Sequence, residues 1–246
     1  MGVWGDGSPM PSAANRPWNP KRQFNIRPTH HGQHEVLSYT FYMLNYQSAP
    51  RILAELDRAL TIESAQPARW LVCGGVALAL QGLTSRSTND LDVIGSLSDI
   101  AFGVTPMDGF PTEVLRAIDR VALSRPELQT GSTRWVNLGA SGLLRFGLPD
   151  GLERRVRVLV IGPQLTLLIP SRSDLVALKL FAAIDPVPRR QPIHKSDLGA
   201  MSPSRAELES AIEWIRRIPD PNDQLMTELR ELLLEFGHDD LAYNLS

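Results

Sequence analysis

Residues 70–94 read WLVCGGVALALQGLTSRSTNDLDVI, and the rest of the chain is organised around them. A short apolar run, Leu71 to Cys73, reads as a buried strand and ends in Gly74-Gly75. An apolar segment of helical character follows from Gly75 to Gln81 and stops at Gly82. A polar turn then leads into Asp90 to Ile94, a second apolar strand. Residues i and i+2 of a strand share a face, so Asp90 and Asp92 point the same way. Two hard carboxylates side by side suit Mg²⁺ or Mn²⁺, ions that take few protein ligands and complete their shell with water and phosphate oxygens. Glycines at a helix start leave backbone N–H groups unpaired and let a phosphate come close. The stretch therefore predicts a phosphate site at Gly74 and Gly75 facing a metal site at Asp90 and Asp92. Arg86, four residues before Asp90, is placed to contact a phosphate or to brace that carboxylate. A lone Asp-x-Asp is common on surface loops; the whole succession of strand, Gly-Gly, helix and Asp-x-Asp strand is not.

The bulk composition narrows the class of protein. With 43% hydrophobic and 21% charged residues in 246, the chain has the make-up of a globular protein that buries a sizeable core. No run of about 18 apolar residues is present, which excludes an obvious membrane-spanning helix. The polar, proline-spotted N-terminus has no apolar signal segment. With the single Cys73 set in an apolar run, these features point to a reducing, cytoplasmic setting and to a cysteine that serves as a small buried hydrophobe. Residues 1–42 carry Arg16, Lys21, Arg22 and Arg27 against Asp6 and Glu35, so of the net charge of −2 the remainder holds −4. A body of that sign is no general polyanion binder.

In chain order, residues 1–42 show no helical or strand period and are expected to form a disordered tail. Its histidines His30, His31 and His34 lack a scaffold for a metal, and Met43 offers an alternative start. The domain proper is expected over residues 43–246, with a helical C-terminal part over 203–246. Helices are predicted over residues 49–65 and 111–124, and the latter opens on Pro111. Residues 135–146 mix strand-like pieces with Gly139 and Gly142 and stay ambiguous. Two β-rich runs, 155–161 and 164–169, flank Gly162-Pro163 as a hairpin, and a helix capped by Ser171 or Ser173 runs to Ala183. A connection stiffened by Pro186, Pro188 and Pro192 follows. Two last helices are expected: one with a capping box, Ser204 to Glu207, and one opening at Asp220-Pro221 and ending at Gly237. The fold class is α/β (α+β), with a mixed sheet, flanking helices and a C-terminal helical part.

The string GGVALALQGLTSRSTNDLD resembles the polymerase-β-like nucleotidyltransferase superfamily, whose signature is a Gly-Gly or Gly-Ser pair followed by Asp-x-Asp. Within it the string is similar to the branch of the AbiEii-type toxins of toxin–antitoxin systems and to bacterial nucleotidyltransferase-like domains. There the pattern Arg-x-Thr-x-Asp-x-Asp recurs, here Arg86, Thr88, Asp90 and Asp92. A second block, LVALKLFAAIDPVPRRQPIHKSDL, is similar to that branch's lysine-bearing helix and basic loop, and marks Lys179, His194 and Asp197. The resemblance implies Mg-dependent transfer of a nucleotidyl group from an NTP to RNA, protein or a small molecule. It implies catalytic roles for Asp90, Asp92 and Lys179, and nucleotide contacts from Gly74, Gly75, Arg86 and Thr88. His194 and Asp197 enter as accessory groups, and a cognate antitoxin as a partner. Active members add a third carboxylate from a later strand. The acid-free run Arg155 to Ile161 supplies none, and Asp150, Glu153 and Asp174 near it do not match the pattern. Three alternatives follow: an enzyme with an unusual base, a nucleotide- or partner-binding module of the same fold, or a protein acting through its helical end.

Overall fold

The computed structural model describes residues 44–97, 103–129, 134–185, 191–220 and 222–245, all within one unit spanning 41–246. The expected tail, its histidines and Met43 lie outside the described residues, as do Pro186 and Pro188. Strand β1 (Ala68–Cys73) forms the middle of the sheet, with Trp70 to Cys73 all buried. On one side β2 (Leu91–Leu97) pairs with it antiparallel; on the other β6 (Leu165–Ile169) runs parallel. The outer edge of β2 takes two short strands. Antiparallel β3 (Val104–Thr105) joins its C-terminal half, and parallel β4 (Val136–Asn137) joins its start. Strand β5 (Arg157–Val160) closes the opposite edge beside β6. The result is a mixed six-stranded sheet flanked by helices.

Helix α1 (Ala49–Ile62) places Pro50 in its first turn, where a missing N–H costs nothing, and buries Ile52, Leu53, Leu56 and Leu60. It packs against α3 (Thr112–Ser124). Helix α2 (Gly74–Leu80) follows β1 directly. Helix α4 (Arg172–Ile184), capped by Ser171 accepting from the Asp174 N–H, is buried over most of its surface because α5 (Gln191–Met201), α6 (Arg205–Ile215) and α7 (Gln224–Glu235) surround it. The Ser204–Glu207 capping box is formed in full.

Several boundaries differ from the sequence-based expectation. Strand β1 starts three residues earlier than Leu71, because Ala68 to Trp70 find their partners on β6, a pairing no local pattern reveals. Strand β2 continues past Ile94 through Gly95 to Leu97, where a Cβ on Gly95 would press on the Thr105 carbonyl. The ambiguous 135–146 stretch resolves into β4 and a 3₁₀ segment, Gly139–Arg145. The largest correction is α5. The connection expected to be stiffened by Pro192 is helical from Gln191, with the proline in the first turn, where it is tolerated. A short α8 (Asp239–Tyr243) follows α7, so three helices rather than two close the chain.

The β5–β6 turn is fastened by a buried acid. Asp57 on α1 accepts the N–H groups of Gln164 (2.9 Å) and Leu165 (2.8 Å), and a Cβ on Gly162 would overlap the same carboxylate. Asp57→Ala leaves one buried and one half-buried donor unpaired and should cost about 2–4 kcal/mol in chemical denaturation. A loss under about 0.5 kcal/mol would show that the turn holds without it.

Candidate functional site

The site begins where β1 ends. Gly74 has φ +71°, a left-handed conformation that a side chain resists, and a Cβ there would overlap the Asp92 carboxylate. A Cβ on Gly75 would lie 2.8 Å from the Thr88 Cβ. The glycine pair is therefore required first by the protein itself, which seats Asp92 and Thr88 against the start of α2. Cys73 and Asp92 are register partners, so strand pairing puts the carboxylate beside the glycines. Asp90, just ahead of β2, accepts a hydrogen bond on Oδ1 from the Thr88 hydroxyl at 2.8 Å. Both aspartates are half-buried. Thr88 is thus committed to Asp90, which the spacing of the motif does not reveal.

Arg86, Lys179, His194 and Asp197 converge on one point. The Asp197 side chain, on α5, is 1% exposed. Arg86 Nε and Nη2 donate to its two oxygens at 2.5 and 2.7 Å, and Nη1 donates to the Ser87 carbonyl at 3.2 Å. Lys179 Nζ, on α4, lies 2.7 Å from Asp197 Oδ2 and 3.4 Å from His194 Nδ1. One carboxylate thus holds two cations. Burial pushes the Asp197 carboxyl up, but the hydrogen bonds and charges of Arg86 and Lys179 outweigh it, and its pKa falls below the ordinary carboxylate range. The Arg86 guanidinium is held charged by its hydrogen bonds to Asp197, against the effect of burial, with further support from Asp197, Asp90 and Asp92. Burial, reinforced by Asp92, pushes the Cys73 thiol up and keeps it protonated, so it is no nucleophile.

The structure brings the two sequence blocks together, but it gives their members different surroundings. Gly74, Gly75, Thr88, Asp90 and Asp92 form one contact group. Arg86 joins Asp197, and Lys179 is buried with its ammonium on Asp197. The later strand Arg155 to Ile161 becomes β5, separated from β2 by β1 and β6, so an acid there would lie far from the pair. Asp174 and Asp150 are paired with Arg155 and Arg217, and Glu153 lies 3.8 Å from Arg154. The strand that does flank Asp92 is β4, and the residue in register with it is Asn137, whose Oδ1 accepts from the Gly139 N–H at 2.7 Å. Asn137 was missed because β4 is two residues long. Its local signal, an Asn followed two residues on by Gly, marks only a turn. Among the described residues no group of three or more His, Cys, Asp or Glu is arranged to hold a metal ion. The aspartate pair alone matches an ion that arrives with phosphate oxygens better than one held by protein ligands only.

A mixed sheet carrying Gly-Gly at one strand end and Asp-x-Asp at the start of its neighbour is a nucleotidyltransferase-type architecture. Residues 51–189, more than half of the chain, match the family described as "Nucleotidyltransferase of unknown function (DUF6036)", and the chain belongs to that family. No curated protein and no solved structure matches the chain. Among the described residues no helix is long and apolar enough to cross a membrane.

The lowered pKa of Asp197 has a testable sign. Its folded carboxyl is more acidic than the unfolded one, so the contribution of the ion pairs is complete above about pH 4 and is lost as pH falls through the folded pKa. Asp197→Asn leaves two cations without their anion and should cost about 3–5 kcal/mol at neutral pH. Urea unfolding followed from neutral to strongly acid pH should show the variant losing less further stability than wild type. Equal acid sensitivity of the two would rule out Asp197 as the titrating anchor.

Proposed function

We propose that the protein transfers a nucleotidyl group from an NTP, with a divalent ion held by Asp90 and Asp92 and the triphosphate lying at Gly74-Gly75. The observation that carries this is the seating of the Asp92 carboxylate in the space left by the missing Cβ of Gly74, which joins the two halves of the signature in one place. Mg²⁺ or Mn²⁺, when bound, would neutralise triphosphate charge and lower the pKa of an attacking hydroxyl. The chain's own part is to present Asp90 just ahead of β2, held by Thr88, and Asp92 within β2, seated at Gly74, and to keep Arg86 charged nearby. Lys179 enters as a positive charge that holds Asp197 ionised. The acceptor is RNA, protein or a small molecule, and the role of a toxin with a cognate antitoxin in the cytoplasm rests on the sequence resemblance.

A second reading, nucleotide binding without transfer, is favoured by Asn137. The strand beside Asp92 offers an amide, already engaged with Gly139, where a third carboxylate would complete the set. Incubation with α-labelled NTPs, Mg²⁺ and cellular RNA, protein or metabolite fractions separates the two. Transfer of label that falls about a hundredfold or more in Asp90→Asn and Asp92→Asn supports the enzyme. Saturable, metal-dependent binding without label transfer supports the binding module. A folded protein with no metal-dependent NTP binding by calorimetry contradicts both.

A further inference from the structure

The segment ahead of α1 makes a contact that the nucleotidyl-transfer reading leaves unused. Leu44 and Thr88 form an isolated antiparallel bridge: Leu44 N–H donates to the Thr88 carbonyl at 2.9 Å, and Thr88 N–H to the Leu44 carbonyl at 2.8 Å. The Leu44 side chain is fully buried. Next to it, Asn45 Nδ2 donates to the Ser87 hydroxyl at 3.4 Å, while Asn45 Oδ1 accepts from the Gln47 and Ser48 N–H groups and so ties this stretch to the start of α1. Between Gly82 and Leu91 the chain has no regular structure apart from this bridge. Thr88 is consequently fixed on every side: its backbone by Leu44, its side chain against Gly75, and its hydroxyl on Asp90 Oδ1.

We propose that Leu44 and Thr88 are positioning residues of the site: the Leu44 bridge holds Thr88 so that its hydroxyl orients the Asp90 carboxylate toward a divalent cation. The proposal deepens the nucleotidyl-transfer reading and rests on it for the identity of the ligand. The hydroxyl commits Oδ1 and leaves Oδ2 for the ion, so a half-exposed aspartate acquires one preferred orientation in place of several. Leu44 precedes the residues matched by the family, 51–189, so this support is a property of the present chain beyond what the match covers.

Side-chain and backbone roles of Leu44 separate cleanly. Leu44→Ala removes buried apolar volume but keeps both backbone bonds; Leu44→Pro removes less apolar volume and also removes one of those bonds. Amide hydrogen exchange over residues 86–91, measured without any ligand, should speed up about tenfold in Leu44→Pro relative to Leu44→Ala at a temperature where both are folded. Mn²⁺ binding in the presence of ATP, followed by electron paramagnetic resonance, should weaken by a similar factor in Leu44→Pro and stay near wild type in Leu44→Ala. If Leu44→Pro does not fold, the Thr88 pair decides: Thr88→Val should weaken Mn²⁺ binding about tenfold and Thr88→Ser should restore it. Equal exchange and equal Mn²⁺ affinity in the two Leu44 variants, or wild-type Mn²⁺ affinity in Thr88→Val, overturns the proposal. Absence of Mn²⁺ binding in wild type would defeat the nucleotidyl-transfer reading, while the exchange experiment would still decide whether the bridge orders the loop.

Discussion

A carboxylate with 1% of its side chain exposed stays ionised only if cations and hydrogen bonds replace the water it has lost. Asp197 meets that condition with two cations, Arg86 from the loop before β2 and Lys179 from α4. The loop before β2 and the two consecutive helices α4 and α5, much later in the chain, are thereby drawn to one point. Buried ion pairs often add little net stability over apolar packing, yet removing one partner is costly because the others stay buried and uncompensated. That asymmetry makes Asp197 a device for specifying geometry: helices α4 and α5 and the loop that leads to Asp90 are fitted to one another by charge.

The same arrangement constrains the ligand. Asp90, Asp92 and Asp197 outnumber Arg86 and Lys179 by one charge, and the two outer carboxylates are half-exposed while Asp197 is buried. An anionic nucleotide alone would meet net negative charge at the accessible side of this cluster. On the proposed reading, a divalent ion would reverse the local sign, so that ion and triphosphate would favour each other's binding. The Gly74 geometry adds a steric constraint, since the glycine accommodates the Asp92 carboxylate before it accommodates any phosphate.

Much of this was legible in the sequence because the governing residues are close together in the chain. Gly-Gly and Asp-x-Asp sit on one strand–helix–strand unit, so local periodicity placed that unit, although β2 begins at Leu91 and leaves Asp90 just ahead of it. The hairpin around Gly162-Pro163, the Ser171 cap and the Ser204–Glu207 capping box were visible for the same reason. What escaped depends on tertiary pairing. Helix α5 was hidden behind Pro192, whose position in a first turn cannot be told from a linker by composition. Lys179 with its apolar flanks already called for an acidic partner such as Asp197, but the addition of Arg86 to that pair, the register of Asn137 with Asp92, and the Leu44–Thr88 bridge join residues whose relation exists only in the folded chain. A strand of two residues such as β4 has no periodicity to detect.

The central claim, that the charged junction at Asp197 fits helices α4 and α5 to the loop that leads to Asp90, is tested most directly by a double-mutant cycle between Asp197→Asn and Arg86→Gln, read by urea denaturation at neutral pH. A coupling of about 1–3 kcal/mol, with the double variant little worse than Asp197→Asn alone, is the predicted result. Losses that add to within about 0.5 kcal/mol would contradict it, because residues that do not share an interaction behave independently.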